Sequence, residues 1–323
     1  MLYPVSVPKA NSVDDTTGFI NSAGSLVVDP SWKAAAYFRE GVASVVGDDG
    51  KSGFIDSSGC LVIPRRFFGL ARFNDGLCPM GGGFVGATSV GFIDHLGNWF
   101  VEPRFALASD FSEGRAFAST DGASIGFIDL AGDFVVPPEF TCCRNYSDGL
   151  AAVCREDTWG FIDHRGELKI PHVFQGVRPQ GFCDGLAGAR IDSHWGFIDH
   201  GGNFVVKPQY EDIRFFSEGL AAAQLDGKWG FVDRHGETVV DFRFEELGEF
   251  DGGIAPAKID GKAGFISTEG TWTIQAVFDR CYRFWGELAV TRKGKTYSYV
   301  RRDGQAVWTS KPGAAVQRPP HLT

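Results

Sequence analysis

Apolar residues run along this chain in short bursts cut by polar phrases, from about residue 2 to residue 308. Bursts such as "GLAAV" (149–153), "WGFID" (159–163) and "FVVKP" (204–208) are too short for helices, and Gly, Asp and Pro bound them. They predict β-strands. Between the first two kinds of burst lies a polar turn such as "LDGK" (225–228), a hairpin signal. Between the second and third lies D-x-x-G, in which Asp accepts backbone N–H groups and Gly supplies a positive φ.

The three bursts recur as a unit. Counted from the Gly before Phe-Ile, the copies begin at Gly18, Gly53, Gly91, Gly126, Gly160, Gly196, Gly230 and Gly264, with a degenerate ninth at Ser298. The intervals between the glycines are 35, 38, 35, 34, 36, 34 and 34 residues. A second fixed phrase, like "FSEGLA", places an aromatic at Phe38, Phe73, Phe111, Tyr146, Phe182, Phe216, Phe250 and Phe284. One such unit is too small to bury its own aromatics, so neighbours must cover one another. The anchor glycines are expected where a backbone or ring approaches closely. Prolines such as Pro30, Pro64, Pro103, Pro171 and Pro208 are expected to end the third strand, because they have no N–H to donate.

With Trp159-Gly160, Trp195-Gly196 and Trp229-Gly230, the chain resembles the bacterial WG (or KWG) repeat family over residues 2–308. It departs from the namesake pair at Thr17, Ser52, Val90, Ile125, Ala263 and Tyr297. The resemblance implies a repeat architecture and carries over no catalytic residue. The expected fold is all-β: about nine three-stranded antiparallel units of 34–38 residues in one array over 1–308. Units shorter than usual propeller blades, and no obviously split blade, favour an open superhelical stack over the alternative, a closed β-propeller. Residues 309–323 are expected to form a disordered tail.

Composition narrows the function. Among 323 residues the net charge is −9, which argues against a general nucleic-acid binder and suits a basic protein partner. No apolar stretch is long enough to span a membrane, and no secretory leader is evident in the first residues. The 7 cysteines include no C-x-x-C and are read as reduced thiols, an expectation of a cytoplasmic location.

Candidate chemistry is sparse. The repeated Asp of D-x-x-G is explained by the turn. His95, His164 and His200 each follow that Asp and raise the thought of a metal, but equivalent places on successive units sit too far apart for ligation. The glycine-rich run at 81–91 sits inside a hairpin and is read as a protruding loop. The basic stretch at 291–302 is read as a capping unit's solvated face. No cofactor, metal or catalytic residue is expected. Insertions at 8–17, 80–89 and 175–182 are the places where loops would reach a partner, with Phe84, Arg178 and Gln180 as contact candidates. The expectation is a non-enzymatic scaffold that binds a protein over an extended surface. An immunity-type protein that neutralises a toxin, or a glycan-binding repeat module, are the alternatives.

Overall fold

The computed structural model describes residues 1–8, 15–81 and 89–312. The bursts are strands as expected, and they form nine antiparallel sheets. The fifth repeat shows the pattern: Cys142–Cys143, Ala151–Arg155, Thr158–Ile162 and Leu168–Phe174 pair in chain order. Seven sheets have four strands rather than three. The additional strand is only two residues long in most of them and lies in the segment that crosses to the next repeat. So short an element leaves no hydrophobic period to read.

The third strand also differs from expectation. Its proline does not end pairing; the ladder shifts register around it and resumes, so that Trp159 pairs with Phe174 and Phe161 with Ile170. The bulge brings the third strand's backbone against the anchor glycine. A Cβ on Gly160 would lie 2.6 Å from the carbonyl oxygen of Ile170, and Gly196 stands 2.5 Å from that of Val206 in the same way. No other residue fits there.

At the D-x-x-G turns, Asp199 Oδ1 accepts the N–H groups of Gly201 and Asn203 at 2.9 Å, and Gly202 takes a φ of +78°. The Asn203 N–H bond leads in holding the Asp199 carboxyl below the usual carboxylate range. Asn21 does the same work in the first repeat, accepting from Ala23 and Ser25 at 3.0 Å.

The "FSEG" phrase joins one repeat to the next. Ser147 Oγ donates to the carbonyl of Phe182, and Ser217 Oγ to that of Phe250 at 2.8 Å. Glu218 accepts N–H bonds from Gly252 and Gly253 at 2.6 and 2.9 Å. The aromatic beside them packs edge-on or tilted against the preceding repeat's Phe: Phe161 on Phe182, Phe197 on Phe216, Phe231 on Phe250, at 4.5–5.3 Å between centroids.

Two compact units divide the chain. One comprises Met1–Phe111 with Phe284–Thr323, the other Ser112–Arg283. The first unit contains both ends of the array, and there the first and last repeats pack together. Buried Tyr3 and Tyr299 stand 5.6 Å apart between ring centroids. Tyr299 Oη donates to the carbonyl of Pro4 at 2.8 Å and lies 3.1 Å from Tyr37 Oη. Tyr3 Oη accepts the N–H of Glu287 at 3.0 Å, and Arg301 donates to the carbonyl of Ser22. An open stack would leave both end faces bare. The expectation of an open superhelical stack is therefore corrected: the nine sheets are the blades of a closed β-propeller. Among the described residues no strand passes from one end blade to the other: a side-chain seam joins the three-stranded first blade to the four-stranded last. The last strand runs Ala306–Thr309, and Ser310 exchanges hydrogen bonds with the backbone of Tyr297 at 2.8 and 2.9 Å.

Tyr299→Phe should lower unfolding free energy by about 1–3 kcal/mol in a urea titration, because buried partners at Pro4 and Tyr37 lose their bond; an unchanged midpoint would deny that the ends meet. Asp199→Asn should leave the midpoint at neutral pH almost unmoved, as Asn21 already fills that role, whereas Asp199→Ala should cost up to about 1 kcal/mol. The depressed carboxyl contributes stability that is present above its unfolded-state pKa and is lost as pH falls through the folded one. Thermal melts of the wild type and Asp199→Asn at pH 3 and pH 7 should therefore show the wild type losing more on acidification.

Candidate functional site

Most residues flagged for chemistry serve the seams between blades. His164 lies flat on Tyr146 at 4.3 Å, with Nε2 3.2 Å from Glu113. His95 repeats the arrangement on Phe73 and Glu40, and His200 on Phe182 and Asp148. Each ring is thus held by one aromatic and one carboxylate. Among the described residues no group of three or more His, Cys, Asp or Glu is placed to hold a metal ion. The cysteines are unpaired. Burial pushes the thiols of Cys78, Cys143 and Cys281 up, and that of Cys183 up to about 11, the reverse of what a thiolate nucleophile needs.

A cavity of about 450 Å³ opens in the first unit. Its walls are the rings of Tyr37, Phe38 and Trp285 with Leu70 and Pro79. Tyr37 and Trp285 meet edge-on at 6.1 Å, and Leu70 is exposed at 41%. Its charged lining consists of Arg39, and of Arg72 bonded to Asp110 at 2.8 Å. The size, the apolar lining and the few charged groups are those of a ligand or side-chain site. Tyr37, Arg72 and Asp110 occupy the same place in three repeats, immediately before the fixed aromatics Phe38, Phe73 and Phe111. Sequence reasoning passed over them because attention fell on what repeats. The signal was the reverse, a position that varies beside one that does not.

Of the three contact candidates, Phe84 lies outside the described residues. Arg178 and Gln180 both sit on the strand Gly176–Cys183, where the two-residue insertion forms a bulge between Val177 and Phe182. Gln180 is exposed. Arg178 is largely enclosed: its guanidinium lies 4.1 Å over the ring of Trp195 and pairs with Asp212. Burial, and after it the charges of Arg214 and Arg190, bring its pKa down to about 10.

The namesake tryptophans share this arrangement. Arg144 stands 5.0 Å over Trp159, and Arg214 5.4 Å over Trp229. The arginine comes from the crossing segment of the same repeat, two residues before the fixed aromatic, or four in the repeat with the insertion. Repeats that lack Trp have Ala36, Ala71, Ser109, Gly248 or Tyr282 there. Tryptophan and arginine therefore appear together or not at all, as expected of a cation held on a ring face.

Among the described residues no helix is long and apolar enough to cross a membrane. No curated protein matches the chain. Among solved structures, the crystal structure of a eukaryotic initiation factor is similar over the whole of both chains, at 10% identity and a TM-score of 0.67. The computationally designed Ika8 protein matches 85% of this chain and 95% of its own at 14% identity and a TM-score of 0.49. BamB from Moraxella catarrhalis matches 94% of this chain and 98% of its own at 12% identity and a TM-score of 0.44. At such identities only the first bears on the argument, and it bears on the fold alone. The model of the WG containing repeat matches residues 18–51, 91–122, 125–159, 159–193, 195–229, 229–262 and 264–297. With seven matched repeats over more than half its length, the chain belongs to the WG containing repeat family.

Proposed function

We propose that this β-propeller is a non-enzymatic scaffold that binds another protein. The observation that carries the reading is the first unit's cavity, where apolar walls of Tyr37, Leu70, Pro79 and Trp285 stand beside the cations Arg39 and Arg72. An aromatic pocket with a few charged groups takes a partner's side chain and orients it. The histidines that would otherwise suggest catalysis are held in blade-to-blade contacts and the repeated aspartates in their own turns, which supports binding over turnover. The chain's net charge of −9 favours approach of a partner with a basic surface.

Immobilised protein should retain such a partner, and Leu70→Asp, which places a charge at the apolar mouth without touching a buried seam, should weaken that binding at least about tenfold in surface plasmon resonance. Retention of the same partner with unaltered affinity by Leu70→Asp and by Arg39→Ala would remove the cavity from the interface.

A further inference from the structure

The sixth blade (176–210) breaks the repeat pattern at several places at once, and the breaks converge on one ring. The two-residue insertion bulges the strand Gly176–Cys183 beside Arg178, which lies 4.1 Å over Trp195 as Arg144 and Arg214 lie over their tryptophans. The cross-strand partner of Trp195 is Arg190, which stands 5.4 Å over the same ring; the matching partners of Trp159 and Trp229 are Cys154 and Gln224. Gly188 replaces the alanine found at 152 and 222. A Cβ there would lie 2.7 Å from Cγ of Arg178 and 2.7 Å from Cδ1 of Ile213, so the glycine makes room for the arginine stem. Gly176 does likewise for Arg190, whose Nε a Cβ would meet at 3.3 Å.

The seventh blade (212–244) continues the cluster. Asp212 pairs with Arg178, and Arg214 lies over Trp229. Three guanidiniums against one carboxylate leave positive charge concentrated on an acidic protein. The crowding is felt at Arg178, whose pKa is lowered by burial first and then by its two arginine neighbours. Holding like charges together costs stability, and folding alone does not require it: the fifth repeat keeps its tryptophan with one arginine. Nε of Arg190 is buried without an acceptor, although Nη2 donates to the carbonyl of Gln175 at 3.2 Å. Arg190 is half-buried and Arg214 exposed, and a guanidinium held by its face keeps its N–H groups in the plane that a carboxylate engages.

We propose that the sixth and seventh blades form an anion-recognition site in which Arg190 and Arg214, ordered on Trp195 and Trp229 and braced by the Arg178–Asp212 pair, bind carboxylates of a short acidic segment on a protein partner whose surface is otherwise basic. A short run of carboxylates fits better than an extended phosphate backbone or a membrane surface. The excess charge is small and local, and the rest of the acidic surface repels an extended nucleic acid or an anionic membrane. The site rests on the protein-binding reading and deepens it, at a place remote in sequence from most of the cavity's residues.

The test uses a fluorescein-labelled hexaglutamate peptide and anisotropy at low ionic strength, on the full chain. Saturable binding should weaken about tenfold in Arg190→Gln and in Arg214→Gln, and Arg190→Lys should recover only part of the loss, because lysine keeps the charge without the fork. Arg65→Gln, which removes the same charge from an exposed pair with Asp49, should bind like wild type. Equal weakening in all the glutamine variants would reduce the effect to net charge and overturn the site, as would absence of saturable binding. Displacement of the peptide by inorganic phosphate at lower concentration than by glutarate would overturn the carboxylate assignment. Arg214 is exposed, so Arg214→Gln decides the matter alone should Arg190→Gln fail to give a cooperative melt. A partner retained through the cavity whose affinity is indifferent to Arg190→Gln and Arg214→Gln would sink this site and leave the protein-binding reading standing.

Discussion

Everything in this molecule depends on the seam between one blade and the next. A sheet of four short strands has two faces, and neither can be left in water when it carries Phe or Tyr at every repeat. Burying one such ring contributes roughly 2–3 kcal/mol, but only if a neighbour supplies the other half of the contact. The "FSEG" phrase solves the polar side of the same problem. Its aromatic packs on the preceding blade. Its Ser donates forward and its acid accepts forward, while its Gly presents an N–H backward, as at Ser217, Glu218 and Gly253. Because every blade both gives and receives, the interaction propagates along the chain, and its termini become the exceptional places.

The first unit shows how those termini are handled. Where the first blade meets the last, the phrase is replaced by tyrosines. Tyr3, Tyr37 and Tyr299 supply ring surface and a hydroxyl together, so that a buried contact between non-identical blades still satisfies its polar groups. A phenylalanine seam would match the area and leave the carbonyl of Pro4 and the N–H of Glu287 without these partners.

The repeat period, the hairpins and the D-x-x-G turns were all legible in the sequence, because each rests on a residue type with a local physical reason. The anchor glycine was also legible as a site of close approach, and Ile170 and Val206 show what approaches. Closure was not legible. It hangs on a handful of tyrosines near the ends, each unremarkable in its own neighbourhood and meaningful only through a partner nearly 300 residues away, as Tyr299 is from Pro4. The two-residue strand Cys142–Cys143 was equally hidden, since two residues carry no period. Prolines misled for a subtler reason. The missing N–H argues against regular pairing, and the strand answers with a bulge that keeps both its proline and its ladder.

The same logic explains why function is harder to read here than fold. In a lattice where identical residues do identical structural work, whatever recurs belongs to the scaffold, and specificity has to lie in what differs from blade to blade. Tyr37, Arg72 and Asp110 differ while the aromatic beside each stays fixed, and they line the cavity. Gly176, Gly188 and Arg190 differ together, and they surround the Arg178 that, like Arg144 and Arg214, lies on its blade's tryptophan. A single departure is tolerable drift. Three departures in one blade, two of them glycines beside the arginine stems, are what the proposed anion site would account for. One arginine on each tryptophan is common to three blades, whereas the second, Arg190 on Trp195, adds like charge that the fifth blade does without.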